Sequence, residues 1–193
     1  MGGLALRHLL LIKHSLPQID ESLPAKQWQL SETGRARCEP LARAVAAYAP
    51  DVVISSREPK ARETAELLAG QLGQTFLLAD NLHEHERDGL PFLSASEFQE
   101  NVRLFFEKPG ELVMGSETAD QAHQRFEQAV LKALDSHPKE SLALVAHGTV
   151  ISLFVSRRVG LEAFSLWRRL GLPAMIILSL PGFELVNIME SVE

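Results

Sequence analysis

Leu6-Arg7-His8-Leu9-Leu10-Leu11-Ile12-Lys13, followed at once by His14-Ser15, is the stretch from which the rest of the chain is read. It is rich in Leu and Ile and reads as a buried strand that breaks off at a histidine. Ser141-Leu142-Ala143-Leu144-Val145-Ala146, followed by His147-Gly148, has the same form. It shows no polar alternation, as expected for a strand in a sheet covered on both faces. Residues 51–55 are a third short apolar strand, which runs into Ser55-Ser56.

Helical patterns lie between these strands. Ser31 reads as the N-cap of a helix over 31–48, in which Pro40 predicts an irregularity or kink. Ser56-Arg57-Glu58-Pro59 reads as a helix start, with proline in the first turn where its missing N–H costs nothing, and that helix extends to about residue 70. Residues 76–79 read as a strand and 80–97 as a polar loop. Residues 97–107, 118–137 and 150–159 read as helices, and 174–180 with 184–189 as a closing hairpin across Pro181-Gly182. Strands alternating with helices predict a three-layer α/β/α domain with a mainly parallel central sheet. With 193 residues, 46% of them hydrophobic, one core is the expectation: a single domain over 1–193 with a short cap segment around 85–115. Ligands of such sheets gather at the carboxyl ends of the strands. Three such ends carry polar chemistry here: Lys13-His14-Ser15, Ser55-Ser56 with the helix start after it, and His147-Gly148.

Composition narrows the partners. The formal net charge of −6 and the lack of a long Lys/Arg run argue against an extended nucleic-acid surface. An anionic substrate would need a local positive pocket working against the global field. Cys38 is the only cysteine, which excludes an intrachain disulfide and fits a reducing compartment. It falls in a helical pattern with no histidine nearby and reads as a packing residue. The apolar runs near both ends are too short to cross a membrane, so a cytoplasmic location is expected.

In combination these segments resemble the histidine phosphatase (phosphoglycerate mutase-like) superfamily. Its Arg-His-Gly appears as Lys13-His14-Ser15, and its Leu-Thr-x-x-Gly-Arg as Leu30-Ser31-Glu32-Thr33-Gly34-Arg35. Its Ser-Ser-x-x-x-Arg-Ala-x-Gln-Thr-Ala appears as Ser55-Ser56-Arg57-Glu58-Pro59-Lys60-Ala61-Arg62-Glu63-Thr64-Ala65. Leu82-His83-Glu84, the segment Gly115-Ser116-Glu117-Thr118-Ala119-Asp120 with Arg125, and Val145-Ala146-His147-Gly148 match three later blocks, in family order. Two departures stand out: lysines at 13 and 60 where the family has arginines, and Ser15 in place of glycine.

The resemblance implies a site residue by residue. His14 takes the nucleophile position, which needs a neutral imidazole nitrogen in line with phosphorus. His147 would donate to a developing oxyanion, and Gly148 would let backbone approach closely and open a helix. Lys13 and Lys60 supply charge, but as point charges without the two-pronged geometry of arginine. For Ser15 two expectations stand, a hydroxyl that bonds phosphate or bulk that crowds it. Arg57 is expected either to reach the phosphate or to sit in an exposed salt bridge. Glu84 is the expected proton donor, with Glu86 as its rival. His83, His85, Arg87 and Asp88 either shape substrate selection or belong to a solvated loop.

The implied activity is phosphomonoester hydrolysis through a phosphohistidine on His14, without metal or organic cofactor. Mutase action is disfavoured because the short cap implies an open site, and a mutase must keep its intermediate from water. The expected partner is a small phosphorylated molecule rather than nucleic acid or membrane, and a homodimer is left open. Two other readings stand beside it. One is a weakly active or inactive ligand-binding or regulatory protein on the same fold. The other is a metal-dependent hydrolase using His14, His147 and the 83–86 loop.

Overall fold

The structure is a computed structural model and describes residues 6–192. The apolar runs form β1 (Arg7–Lys13), β2 (Val52–Ser55), β3 (Thr75–Leu78), β4 (Leu142–Ala146), β5 (Ala174–Leu180) and β6 (Leu185–Met189). They make one sheet in the order β3-β2-β4-β1-β5-β6. The first four run parallel to one another, while β5 is antiparallel to β1 and β6 to β5. The sheet is therefore mixed but parallel through its centre, with a hairpin on one edge.

Runs without polar alternation still alternate between the faces. Leu9 and Leu11 join one hydrophobic cluster, with Phe105, Phe126 and Phe154. Leu10 and Ile12 join another on the opposite face, with Leu41, Ala65 and Leu68. α2 (Cys38–Ala46) and α3 (Pro59–Leu72) cover this second face, after the short α1 (Glu32–Ala36). α4 (Ala95–Glu107), α5 (Ala119–Ser136) and α6 (Gly148–Val159) cover the first. The three layers thus follow from central strands that have no solvent face, while the edge strands β3 and β6 are partly exposed.

The predicted helix over 31–48 is two helices that meet at Arg37. A proline ring clashes with the carbonyl four residues back, so Pro40 forbids a helix running through Ala36. A new helix starting at Cys38 places Pro40 in its first turn, where no N–H is needed. Pro59 opens α3 for the same reason, and Ser94 and Thr118 close full capping boxes at α4 and α5. α7 (Ala163–Arg169) has no counterpart among the sequence expectations. Among the described residues no helix is long and apolar enough to cross a membrane.

Candidate functional site

Strand register brings the three polar ends together. Lys13 pairs with Ala146 across β1 and β4, and Ser55 with Val145 across β2 and β4. His14 N–H donates to the Ala146 carbonyl (3.0 Å), and Ser56 N–H to that of Val145 (3.0 Å). His14, Ser56 and His147 are therefore neighbours along one sheet edge, and the two imidazole centroids lie 5.2 Å apart.

His14 Nδ1 is 2.7 Å from the Ser15 carbonyl oxygen, which can only accept. Nδ1 therefore carries the hydrogen and Nε2 keeps its lone pair. Burial, reinforced by His147 and Lys60, pushes the pKa of His14 well below its usual value. The ring is therefore neutral and of fixed tautomer at neutral pH. His147, fully buried as N-cap of α6, is lowered to about 4, mainly by burial and against the opposing pull of Glu58. Its Nε2 lies 3.0 Å from Ser56 Oγ and 3.6 Å from Glu58 Oε1. Its Nδ1 is buried without a hydrogen-bond partner.

Both lysines reach the same end of the sheet, but each ammonium is engaged. Lys60 Nζ lies 2.6 Å from Glu58 Oε2 and 2.6 Å from the Ala25 carbonyl. Lys13 Nζ donates to the Leu170 carbonyl (2.6 Å), and burial, opposed by Glu84, lowers its pKa to about 8. Its chain packs on Gly148, where a Cβ would meet Lys13 Cε at 3.1 Å, so a larger residue at the start of α6 would push the lysine chain aside by a few tenths of an ångström.

Glu84 is a half-buried carboxylate. It accepts from the N–H groups of His85 (2.9 Å) and Thr149 (3.2 Å) and pairs with Arg87 (3.3 Å). Burial pushes its pKa up, but Arg87, His147 and those two donors hold it well below the usual carboxylate range. The rival Glu86 is more exposed and faces His83 and the Ser116 hydroxyl, both at 3.2 Å. Arg125 holds the backbone of this loop, donating to the carbonyls of Asn81, His83 and Glu84 while pairing with Glu117 at 2.6 Å. Arg87 joins the site and stacks over Phe98. His83, His85 and Asp88 line the same cleft, with His85 packed on Phe105 and bonded to the Glu117 carbonyl and Asp88 paired with Lys26.

Two expectations are corrected. Ser15 spends both its donors internally, N–H on Thr64 Oγ1 (3.0 Å) and hydroxyl on the Gly34 carbonyl (2.7 Å), because α1 packs against it. Neither is offered to a ligand. Arg57 lies outside the cleft on the surface, paired with Asp80, the second of the two roles open to it. The residue missed is Glu58, whose carboxylate turns inward to Lys60, His147 and the Glu84 N–H (2.8 Å). Nothing in the run Arg57-Glu58-Pro59 signals that turn.

His14, Glu58, Lys60, Glu84 and Arg87 line a cleft of about 350 Å³, with Trp28 among the other walls. Among the described residues no group of three or more His, Cys, Asp or Glu side chains is disposed to hold a metal ion. The arrangement offers an imidazole lone pair on His14, the cations of Lys60 and Arg87 with Lys13 at the same end of the sheet, and the carboxylates of Glu58 and Glu84, next to a helix N-terminus, a setting suited to a phosphoryl group.

Comparison with known proteins bears on this site. The family described as the histidine phosphatase superfamily (branch 1) matches residues 22–180, a stretch that begins after Lys13-His14-Ser15. No curated protein sequence matches. Among solved structures, a mycobacterial glucosyl-3-phosphoglycerate phosphatase in complex with inorganic phosphate superposes with a TM-score of 0.74 at 22% identity, over 94% of this chain and 96% of its own. A phosphoserine phosphatase from Entamoeba histolytica gives 0.76 at 16% identity, over 95% and 96%. The alpha-ribazole phosphatase of Shigella flexneri gives 0.70 at 18%, over 95% and 96%. At such identities the likeness to these structures is one of fold.

Proposed function

Since the chain belongs to branch 1 of the histidine phosphatase superfamily, we propose that it hydrolyses a small phosphomonoester through a phosphohistidine on His14, with no metal or organic cofactor. The observation that carries this is the His14 tautomer: Nδ1–H is tied to the Ser15 carbonyl, so Nε2 presents a lone pair on a ring that burial keeps neutral. The phosphoserine and glucosyl-3-phosphoglycerate phosphatases among the similar structures support a phosphomonoester as substrate.

In the first step Nε2 bonds to phosphorus as the ester P–O bond breaks. Lys60, Lys13, Arg87 and His147 stabilise charge on the remaining oxygens. Glu84 gives its proton to the leaving oxygen, then takes one from the water that attacks the phosphohistidine and releases phosphate. To act first as an acid, Glu84 must take up a proton, and a phosphoryl dianion arriving beside it raises its pKa. Between Glu84 and Gly115 the only helix is α4, so the site has little to exclude water, and hydrolysis is favoured over mutase action.

The engagement of both lysine ammoniums by groups of the chain favours the second reading, a protein that binds a phosphorylated ligand with little or no turnover. A screen of phosphomonoesters without added metal, on wild type and His14→Ala, separates the two. Hydrolysis with an acid-labile, alkali-stable phosphoprotein is expected for the wild type, and a loss of about 10³ or more in kcat for His14→Ala. Equal turnover by both proteins would remove His14 as the nucleophile. Ligand binding with no turnover of any phosphomonoester would make the binding protein the better reading.

A further inference from the structure

We propose that Glu58 is a positioning residue for His147: together with the Ser56 hydroxyl it holds the Nε2 side of the ring, so that His147 takes up a proton when an anion fills the cleft and turns its unpartnered Nδ1 into a donor to that anion. This role presupposes that the cleft receives phosphoryl-type anions.

The geometry of Glu58 is that of a residue placed between other groups. It stands one residue before Pro59, in extended backbone, as the N-cap of α3. Its own N–H donates to Ser56 Oγ (3.3 Å), and its side chain, 10% exposed, turns into the cleft. One carboxylate oxygen meets Lys60 Nζ at 2.6 Å. The other accepts the Glu84 N–H at 2.8 Å and lies 3.6 Å from His147 Nε2. Thus a single carboxylate touches the cation, the loop of the proposed acid and the second histidine.

A carboxylate here would oppose an incoming anion unless it had a compensating use. Five charged groups face His147 and His14: Lys13 from the end of β1, Glu58 and Lys60 from the start of α3, and Glu84 and Arg87 from the loop after β3. With both histidines neutral, three cations stand against two carboxylates, leaving one net positive charge for a dianion. One proton on His147 removes the shortfall. Burial keeps that proton off, while Glu58 pulls the other way. A dianion entering beside the ring adds to that pull.

The proton has a place on each side of the ring. Nε2–H would be shared between Ser56 Oγ and Glu58 Oε1. Nδ1, now buried with nothing to bond, would gain the hydrogen donated to the anion. A polar atom orphaned at zero exposure is unfavourable until a ligand satisfies it. The step is uptake of one proton from solvent; no heavy-atom bond is made or broken.

The test is 15N-histidine NMR of the whole chain near pH 6.5, titrated with sodium sulfate, which does not itself titrate in this range. His147→Asn identifies the resonances. In the wild type the His147 ring should pass from neutral to imidazolium as sulfate saturates. In Glu58→Gln sulfate should bind about tenfold more weakly, and the ring should stay neutral at saturation. A merely structural role would weaken sulfate but still leave the bound-state ring protonated. The proposal is overturned if the wild-type ring stays neutral with sulfate bound, or if it is protonated in saturated Glu58→Gln. Should that variant not fold, Glu58→Asp must lower the bound-state protonation midpoint by about half a pH unit or more, and an unchanged midpoint overturns the proposal. Absence of any sulfate binding by the folded wild type is a different result: it overturns the anion-site reading itself, and this role with it.

Discussion

Glu84 and Lys13 show how single residues divide the work of the site. Glu84 is held ionised by Arg87 and two backbone donors, and the acid role proposed for it matters only when the leaving oxygen needs a proton. Glu84→Gln should cost about 10² or more in kcat with a sugar phosphate and about tenfold or less with para-nitrophenyl phosphate, whose leaving group departs unprotonated. Equal losses on both substrates would take the acid role from Glu84, and Glu86→Gln would be the next variant to measure. Lys13 is a half-buried charge whose ammonium rests on the Leu170 carbonyl. Lys13→Met should lower kcat/KM by about two powers of ten, comparable to losing an oxyanion donor, while Lys13→Arg changes it much less. Steady-state kinetics on the two variants decide this, and full activity in Lys13→Met would exclude Lys13 as a phosphate ligand.

Among the elements, α1 governs where the His14 loop sits. Ser31 caps it by accepting from Gly34 N–H, and a Cβ at Gly34 would fall 2.0 Å from the Leu16 carbonyl oxygen, a backbone atom that cannot turn aside. Gly34 also accepts the Ser15 hydroxyl, so displacing it displaces the residue after His14. Gly34→Ala should destabilise the protein by about 1–3 kcal/mol and lower kcat in the same variant. Gly70, inside α3, has nothing within 4 Å of its would-be Cβ. Gly70→Ala should stabilise by about 1 kcal/mol with unchanged kinetics, because helix propensity is then the only change. Thermal unfolding and kinetics on the pair check both; a Gly34→Ala protein with wild-type melting and rate would contradict the close approach.

For the whole molecule, burying two neutral histidines and one ionised glutamate sets the response to acid. The pKa of His147 falls from its usual 6.5 to about 4 on folding, so between those values the unfolded chain binds more protons than the folded one. Stability therefore rises with pH across that window and is lost as pH falls through it; His147 alone accounts for about 3 kcal/mol of the loss. His14 shifts in the same direction, and Glu84, depressed on folding, adds to the loss below its unfolded value. Urea unfolding at pH 7 and pH 4.5 should show lower stability at the acid end, and His147→Asn should flatten the slope. Stability independent of pH over this range would mean that neither ring is buried neutral.

The sequence by itself determined the strands that end in His14 and His147, because short apolar runs without polar alternation suit only a sheet covered on both faces. It determined the helix starts at Ser31, Pro59 and Thr118, where caps and proline act within one turn. It did not determine α7, whose seven residues hold through the burial of Leu166 and a cap from Glu162. Nor did it settle how charged and polar side chains would pair. Arg57 turns to Asp80 and Ser15 to Gly34 and Thr64, while Glu58 turns inward to Lys60 and His147. The reason is one of range. Burial pattern and capping are written within a few residues, whereas the partner of a buried charge is whatever group another segment delivers to the same few ångströms, and here β1, β2, β4 and the Glu84 loop deliver it only once the sheet has formed.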